Sequence, residues 1–478
     1  MSEFAAVDLG AESGRVVLGR LDGERVTVEV AHRFQNRPVR LPDGLRWNLL
    51  ALFSEALAGL RGLEAQLRGI AVDTWGVDYA LLDGDGRVLG LPFHYRDSRT
   101  DGMIAQAHEL VPRAELYAAT GIQTMPINTV FQLLADAGTP AAARIALVPD
   151  LLSYWLCGAF ANEVTNASTT GLLDARSGGW ARELIARLGL PAAPFAGEPV
   201  EAGTTLGRVL AHHEIDGEVH AVASHDTASA FVAAPLRGPR AAILSSGTWS
   251  LLGLELDAPV LTDRAREYNL TNERGVDGTI RLLRNVMGLW IVQECRRCWG
   301  DTSYDELHEL AAAARADVPL FDPDDDRFLA SGDMPERIAA ACAELGQPRP
   351  EGRGEIVRSA LVSLACKYRL VVERLERAAG VEVEVVHVIG GGARNELLCR
   401  MTADLLGRPV LAGPVEATAL GNVLMQARAV GELGSLAQIR AVAAASVDPV
   451  VYEPAGDAGE TYQRFLSVTS QIVKETVP

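Results

Sequence analysis

Two similar strand–turn–strand segments, one near residue 8 and one near residue 246, constrain the fold of this chain most strongly. The first segment reads AAVDLGAESGRVV (5–17) and the second reads AAILSSGTWSLL (241–252). In each, a short apolar run enters a Gly- and Ser-containing turn and apolar residues follow, as in a hairpin. Such turns direct backbone N–H groups and hydroxyls toward one point, which suits phosphate. Either turn alone would more often be an ordinary hairpin, but the pair predicts two domains that hold a nucleoside triphosphate between them.

The length of the chain agrees with two domains. At 478 residues it exceeds a single hydrophobic core. The segment PLRGP (235–239) separates a helical stretch from the second strand–turn–strand and marks a boundary. We therefore predict an N-terminal domain over 1–237, a C-terminal domain over 238–435, and an extension over 436–478. Residues 459–474 have a helical pattern, and we interpret the extension as packing back on the first domain.

Composition excludes several classes of function. A net charge of −18 argues against a nucleic-acid groove and against binding to anionic membranes. The N-terminus lacks the basic and apolar regions of a secretory signal, and no apolar run approaches a membrane span, so a cytoplasmic protein is expected. The pair Cys295 and Cys298 forms a lone C-x-x-C in a helical segment, which favours free thiols over a zinc site.

The second half contains a recognisable α/β unit. Residues 356–379 carry apolar side chains at helical spacing and are followed by Gly380. A strand is predicted over 382–389, then the glycine triplet 390–392, then a helix over 395–406. This order predicts a parallel α/β unit whose glycine loop lies at the carboxyl end of the strand, where a ligand can approach the backbone. Tight packing between helix and strand is the alternative reading of the triplet.

Acidic residues at strand ends are the candidates for chemistry, because no GxxxxGK[ST], G-x-S-x-G or H-E-x-x-H sequence is present. Asp8 closes an apolar strand and is predicted to hold Mg²⁺, through water. Asp73 and Asp78 bracket Trp75-Gly76 in a predicted strand pair. Asp226 follows an apolar run and precedes a small-residue helix, a position for a carboxylate at a binding site or for a helix N-cap.

In addition, the chain resembles the FGGY carbohydrate kinases of the actin-like ATPase fold, from Asp8 to about Gly431. The matching stretches, in order, are AVDLGAESGR (6–15), VDTWGVDYALLD (72–83), GLPFHYRDSRT (90–100), VASHDTASA (222–230), LSSGTWSLLG (244–253), RNVMGLW (284–290), VIGGGARNELL (388–398) and AGPVEATALGN (412–422). The second, third and fourth are the specific ones. Within the family they indicate similarity to members that phosphorylate L-rhamnulose.

The resemblance implies an α/β protein with two actin-like ATPase (ribonuclease H-like) domains around a central cleft, of which the first, over 1–237, would bind sugar and the second, over 238–435, would bind nucleotide. It implies phosphorylation of L-rhamnulose at its 1-hydroxyl by ATP with Mg²⁺, and it makes Asp226 the general base. The residues implied as sugar contacts are Gly76, His225, Asp226 and Thr227. Those implied as ATP contacts are Ala11, Glu12, Ser13, Gly14, Arg15, Thr248, Asn285, Gln293 and Gly391.

Some assignments keep alternatives at this point. His225 has an alternative role in packing its loop. Asn285 and Gln293 are eight residues apart and would lie nearly on one helical face, which fits two contacts to one ligand or a solvated face. Glu12 stands where the family has serine, and Arg274 stands where a glycine is expected. Glu12 would either point away from the phosphates or act through the metal, and Arg274 would contact phosphate, join the domains or lie on the surface.

Two other functions compete with this one. The nearer is a kinase for another ketose such as L-fuculose or D-xylulose. The other is a nucleotide-switched assembly protein, since actin and heat-shock ATPases share this fold. Such a protein would hydrolyse ATP or assemble without sugar, and the motifs between Asp73 and Thr100 argue against it.

Overall fold

The computed structural model describes residues 1–136, 139–236, 238, 240–300, 302–456 and 458–475. Short strands and helices alternate along the chain. The strands are β1 Ser2–Leu9, β2 Ser13–Asp22, β3 Arg25–Gln35, β4 Val39–Leu41, β5 Gly44–Arg46, β6 Leu67–Thr74, β7 Tyr79–Leu82, β8 Arg144–Leu147, β9 Thr204–Arg208, β10 Glu218–Ala221, β11 Ala241–Ser246, β12 Trp249–Leu256, β13 Thr271–Arg274, β14 Ile280–Met287, β15 Val385–Ile389, β16 Val410–Ala412 and β17 Val450–Tyr452.

The helices are α1 Leu49–Arg61, α2 Met103–Leu110, α3 Arg113–Thr120, α4 Thr129–Leu134, α5 Val148–Cys157, α6 Val164–Ala167, α7 Arg182–Arg187, α8 Asp226–Val232, α9 Asp263–Glu267, α10 Trp290–Trp299, α11 Tyr304–Ala313, α12 Met334–Glu344, α13 Gly352–Ala379, α14 Glu396–Leu406, α15 Ala417–Ala429, α16 Leu436–Ser446 and α17 Gly459–Glu475.

The chain forms two compact units, and neither is continuous in sequence. Unit 1 comprises Met1–Pro235, Glu255–Leu283 and Glu416–Asp448, and unit 2 comprises Leu236–Leu254, Arg284–Val415 and Pro449–Pro478. The segment 436–478 is divided between them, with α16 in unit 1 and α17 packed on α13 in unit 2. The predicted domain limits stay predictions, and Arg237, at the first limit, lies outside the described residues.

Unit 1 is built on a six-stranded sheet with the order β3–β2–β1–β6–β10–β9. Strands β1, β6 and β10 are parallel, while the outer neighbours are antiparallel. The central strands are apolar runs because both of their faces are covered. Helices α8 and α15 contribute to one core with Phe4, Val17 and Ala71.

Within unit 2 the strands hydrogen-bond in the order β12–β11–β15–β16–β17. Strands β11, β15 and β16 are parallel, and β12 and β17 pair antiparallel with β11 and β16. The 28-residue helix α13 ends at Gly380, which adopts the left-handed conformation. The predicted helix–strand–glycine–helix order is confirmed by α13, β15, the glycine triplet and α14.

Both predicted hairpins are confirmed. Strands β1 and β2 pair antiparallel around residues 10–12, and β11 and β12 do so around residues 247–248. The predicted strand pair around Trp75-Gly76 is wrong, because β6 lies in the main sheet of unit 1 while β7 pairs with β8 in a separate two-stranded sheet. Val77 adopts a positive φ of 69° there, which redirects the chain between the two strands.

Candidate active site

Asp8 and Asp73 occupy paired positions on neighbouring parallel strands. Asp8 is the Cα partner of Arg15 on β2 and of Asp73 on β6. Its Oδ2 accepts hydrogen bonds from Arg15 Nε at 2.9 Å and Arg15 Nη2 at 2.7 Å. Arg15 also pairs through Nη1 with Glu416. The structure thus places Arg15, a predicted nucleotide contact, between two carboxylates of unit 1.

The other predicted nucleotide contacts of unit 1 form the β1–β2 turn. Gly10 N–H donates to Ser13 O at 2.9 Å, and Asn36 N–H donates to Glu12 O at 2.9 Å, so the turn is tied to the end of β3. A Cβ on Gly14 would lie 2.3 Å from the ring of Phe34. Because a side chain at position 14 would collide with Phe34, packing alone explains the glycine there. Contacts of Ala11, Glu12, Ser13 and Gly14 with nucleotide stay predictions.

Asp73 is fully buried, and sequence reasoning gave it no role. Its Oδ2 accepts a hydrogen bond from Asn422 Nδ2 at 2.6 Å, while Oδ1 is buried without a hydrogen-bond partner among the described residues. Burial raises the pKa of Asp73 well above its usual range, and the nearby Asp8 carboxylate adds to the rise. The ends of β1 and β6 therefore bring two carboxyl groups together, one of which has an oxygen available for a further partner.

Asp226 is the first residue of α8, and one of its two carboxylate oxygens is held by hydrogen bonds. Oδ1 accepts hydrogen bonds from Thr227 N at 2.5 Å and Thr227 Oγ1 at 3.1 Å. His225 Nε2 lies 3.5 Å from the same Oδ1. No described residue bonds to Oδ2, and 30% of the side chain is exposed. Burial raises the pKa of Asp226 above its ordinary value, an effect that His225 opposes.

The three other predicted sugar contacts lie in unit 1 with Asp226. His225 is the N-cap residue of α8 and its side chain is 8% exposed, so it also packs its loop. Thr227 orients Asp226 through the two bonds above. Gly76 lies in the turn after β6, where an added Cβ would be 2.9 Å from Thr169 Oγ1. The same Thr169 hydroxyl accepts a bond from Val77 N at 3.0 Å, so the glycine permits a close backbone approach.

Glu163 is a buried carboxylate that anchors the loop before Asp226, and sequence reasoning missed it. Its Oε2 accepts hydrogen bonds from Ser224 N at 3.0 Å and Ser224 Oγ at 2.9 Å. Both oxygens also bond to Thr165, through its backbone N–H and its hydroxyl. Burial raises the pKa of Glu163, and these hydrogen bonds counteract part of the rise. No local sequence pattern could have revealed this pairing, because Glu163 and Ser224 are remote in the chain.

A second buried carboxylate stabilises the turn around Gly76. Asp78 Oδ2 accepts from Trp47 Nε1 at 2.5 Å and Trp75 Nε1 at 2.9 Å, and Oδ1 accepts from Gln132 Nε2 at 2.8 Å. The ring centroids of Trp47 and Trp75 are 4.0 Å apart. Burial raises the pKa of Asp78 to about 6, even though all three donors favour its ionised form.

In unit 2, the β11–β12 turn is joined to the start of α10. The carbonyls of Gly247 and Thr248 accept hydrogen bonds from Leu289 N at 3.0 Å and Trp290 N at 3.1 Å. A Cβ on Gly288 would lie 2.6 Å from the backbone of Trp249. Since two carbonyls of the turn bond to the first residues around α10, Thr248 is held at the sheet edge.

The prediction that Asn285 and Gln293 share one helical face is wrong. Asn285 lies in β14, which ends at Met287, and Gln293 lies in α10. Gly288, pressed against β12, separates the strand from the helix. The side chain of Gln293 has its Oε1 buried without a hydrogen-bond partner among the described residues. That oxygen is an acceptor with no protein donor, as a ligand-binding amide would be.

The glycine triplet 390–392 contains one glycine that is required for packing and one whose backbone is accessible. A Cβ on Gly392 would lie 2.0 Å from Ser246 Oγ, so this glycine is required for packing. A Cβ on Gly391 would have nothing within 4 Å, so its backbone borders open space. Close packing at Gly392 and access at Gly391 thus occur in the same loop.

Arg274 contacts two nearby segments of unit 1. Arg274 Nη1 donates to Gly278 O at 3.3 Å, and its guanidinium lies over Gly178, within unit 1.

Cys295 and Cys298 are free thiols on α10, the first buried and the second exposed. Among the described residues, no group of three or more His, Cys, Asp or Glu side chains is arranged to hold a metal ion.

Comparison with known proteins identifies relatives along nearly the whole chain. Models of the FGGY family of carbohydrate kinases match residues 4–229 (N-terminal domain) and 242–430 (C-terminal domain). The chain is 42% identical to a rhamnulokinase of Bacteroides thetaiotaomicron, covering 94% of this chain and 96% of that protein. It is also 42% identical to a rhamnulokinase of Pectobacterium carotovorum subsp. carotovorum, covering 92% and 90%.

Solved structures show the same fold at low identity. A ligand-bound xylulose kinase from Lactobacillus acidophilus superimposes with a TM-score of 0.80 at 14% identity, covering 99% of this chain and 98% of that one. A Plasmodium falciparum glycerol kinase with ADP gives a TM-score of 0.76 at 15% identity, covering 100% and 99%. The predicted two-domain α/β fold is confirmed. Within the described residues, no helix has the length and apolar character needed to cross a membrane.

Proposed function

We propose that this chain, which belongs to the FGGY family of carbohydrate kinases, phosphorylates L-rhamnulose at its 1-hydroxyl with ATP as the phosphoryl donor. Similarity to rhamnulokinases over more than nine-tenths of the chain supports the substrate. The observation that carries the mechanism is the carboxyl of Asp226, which has its partners on Oδ1 and leaves Oδ2 to a ligand.

Asp226 serves as the general base in this mechanism. Oδ2 accepts a hydrogen bond from the sugar 1-hydroxyl and takes its proton as the sugar oxygen bonds to the γ-phosphorus; the bond between the γ-phosphorus and the β,γ-bridging oxygen breaks, and ADP leaves with that electron pair. Such assistance contributes roughly 10²–10⁴-fold to a rate. The raised pKa of Asp226 makes the carboxylate a stronger base than an exposed aspartate. Thr227 keeps Oδ1 occupied, so the oxygen offered to the sugar is defined.

The nucleotide is bound through unit 2. Phosphoryl transfer requires mainly positioning of the phosphates and stabilisation of their charge. The N–H groups and hydroxyls of the β11–β12 turn, including Thr248, suit phosphate. Gly391 offers backbone beside open space, and the buried Oε1 of Gln293 suits a donor such as an adenine amino group or a ribose hydroxyl.

The carboxyls of unit 1 fit Mg²⁺. Asp8 and Asp73 are hard oxygen ligands at paired strand positions, and Asp73 Oδ1 is buried without a hydrogen-bond partner among the described residues. Mg²⁺ in such enzymes is bound by one or two carboxylates plus water and substrate phosphates, so no larger protein cage is needed. Bound there with ATP, it would neutralise phosphate charge.

The variant Asp226→Asn tests the base. Thr227 N–H can still donate to the amide oxygen, so the loop is retained, but the side chain no longer accepts a proton. We expect kcat for sugar-dependent ADP release to fall roughly 10²–10⁴-fold with the Kd for ATP unchanged. Asp85→Asn, in the exposed turn after β7, is the matched control and should behave as wild type. Turnover of Asp226→Asn within a few-fold of wild type would refute the assignment.

ADP release in the presence of L-rhamnulose, L-fuculose or D-xylulose tests the substrate. Stimulation selective for L-rhamnulose is the expected result. Preference for another ketose would change the assigned substrate and leave the kinase mechanism in place. ADP release that is independent of every sugar would overturn the kinase function itself.

A further inference from the structure

Behind the carboxyl of Asp226, three further ionisable side chains of unit 1 form a continuous row. His225 Nε2 lies 3.5 Å from Asp226 Oδ1, and His225 Nδ1 lies 3.4 Å from Glu273 Oε2. Arg281 Nη2 lies 3.3 Å from the same Nδ1 and 3.2 Å from Glu273 Oε2. The side chains of Glu273 and Arg281 are 5% and 0% exposed. Charged groups so deeply buried require a reason for being there.

The contact with Arg281 favours one of the two tautomers of His225. A guanidinium only donates hydrogen bonds, so Nδ1 of His225 must accept from Arg281 Nη2 through its lone pair. A neutral imidazole that accepts at Nδ1 carries its proton on Nε2. That N–H is the one beside Asp226 Oδ1.

Glu273 supports this arrangement by holding Arg281. The two residues are Cα partners on the antiparallel strands β13 and β14, and their side chains form an ion pair. Arg281 Nε is also fixed, since it donates to Arg274 O at 3.0 Å. Glu273 alone would favour the opposite tautomer, because its Oε2 is near Nδ1 and would accept an Nδ1–H. Arg281 Nη2 and Glu273 Oε2 lie 3.3 Å and 3.4 Å from Nδ1, and Arg281, which can only donate, favours an unprotonated Nδ1.

We propose that Arg281 and Glu273 are positioning residues that hold His225 in the tautomer protonated at Nε2, so that Asp226 offers Oδ2 to the sugar hydroxyl. The proposal rests on the proposed function, in which Asp226 is the base. Nε2–H of His225 and N–H of Thr227 are then both directed at Oδ1 of Asp226. Oδ2 remains to accept a hydrogen bond from the substrate. With the other tautomer, a lone pair on Nε2 would face Oδ1 and repel it.

The tautomer is measured directly by ¹⁵N NMR of full-length protein labelled at histidine, with His225→Gln used to assign the signal. The expected wild-type result is a protonated Nε2 and an unprotonated Nδ1. A proton on Nδ1, with or without one on Nε2, would overturn the proposal. This measurement needs neither sugar nor turnover, so it can fail or succeed independently of the kinase assay.

A double variant, Glu273→Gln with Arg281→Gln, tests the consequence. Removing both charges avoids leaving one of them buried alone, which single variants would do. We expect mixed tautomers at His225 and a loss in kcat on the order of 10- to 100-fold, with the Kd for ATP unchanged. Wild-type kcat, or an unchanged His225 signal, would overturn the proposal.

Glu3→Gln with Arg20→Gln is the matched control. These residues also form a cross-strand Glu–Arg ion pair in unit 1, at 3.1 Å, at the opposite end of β1 from Asp8. The control should keep kcat and the His225 signal. Wild-type protein that shows no sugar-dependent turnover would refute the proposed function and leave the tautomer result standing by itself.

Discussion

Replacing Gly421 with alanine should displace α8 and with it the carboxyl of Asp226. Gly421 lies in α15, which packs on α8 within unit 1. A Cβ at this position would lie 1.8 Å from the carbonyl oxygen of Ser229 and 2.6 Å from its carbonyl carbon. Ser229 is in α8, three residues after Asp226, and its hydroxyl is bonded to Ala223 O at 2.7 Å. The obstacle is therefore helix backbone, which cannot rotate aside as a side chain can.

The size of the effect follows from that distance. To restore an ordinary contact of 3.4 Å, the helices must separate by about 1.6 Å. Overpacking of a core costs about 1–3 kcal/mol and occasionally more, while alanine gains at most about 1 kcal/mol of helix propensity over glycine. Because the obstacle is backbone, the cost should be at the upper end of this range, and we expect a net loss of about 2 kcal/mol of unfolding free energy. Since a 1 Å misplacement of a catalytic group costs about 10²-fold, kcat should fall about 100-fold.

Thermal melting and sugar-dependent ADP release measure the two effects on the same preparation. Gly90→Ala is the control, because nothing lies within 4 Å of its added Cβ and its φ is not positive. The control should keep both the Tm and kcat. Gly421→Ala with the Tm and kcat of wild type would refute the reasoning, since α15 and α8 would then not be packed backbone to backbone.

Four further predictions concern three other parts of the chain. The pKa of Asp78 is raised to about 6, and Trp47 and Trp75 donate hydrogen bonds to this carboxyl. We therefore expect tryptophan fluorescence to change with pH, with a midpoint near pH 6. Asp78→Asn should lack the transition, and a flat wild-type profile would contradict the prediction. Because folding raises this pKa, the contribution of Asp78 to unfolding free energy should decrease as pH rises from about 4 to about 6. Gly391→Ala should leave the Tm unchanged and raise the KM for ATP, since the added Cβ enters open space; an unchanged KM would place the nucleotide elsewhere. Cys298 should react first with a thiol reagent because it is exposed, and Cys298→Ser should remove the fast phase if that assignment is correct.

Local features of the fold could be predicted from the sequence because they depend on neighbouring residues. The two hairpins follow from apolar runs on either side of a short polar turn, and α13 follows from apolar spacing closed by Gly380. The error at Asn285 and Gln293 has the same origin. A spacing of eight fits one helical face only if the helix is continuous, and the contact of Gly288 with β12 interrupts it.

The sequence could also identify candidates for chemistry one at a time. Asp8 and Asp226 were found because each stands at the end of an apolar run, where strand and helix ends present side chains to ligands. Asp73 received no role, since its importance depends on the parallel pairing of β1 with β6. Glu273 and Arg281 were not predicted either, since their meeting depends on the antiparallel pairing of β13 with β14.

By itself the sequence determined the two phosphate-suited turns, the helix–strand–glycine–helix order of the second half and Asp226 as a candidate for chemistry, because these depend on the order of apolar, small and acidic residues along a short stretch. Only the tertiary structure decided which buried groups meet: Glu163 with Ser224, Asp73 with Asn422, and Arg281 with His225. The physical reason is that burial makes an unpaired charge or polar group costly, so its partner is selected by proximity in the folded chain. That proximity follows from sheet order and helix packing, not from spacing in sequence.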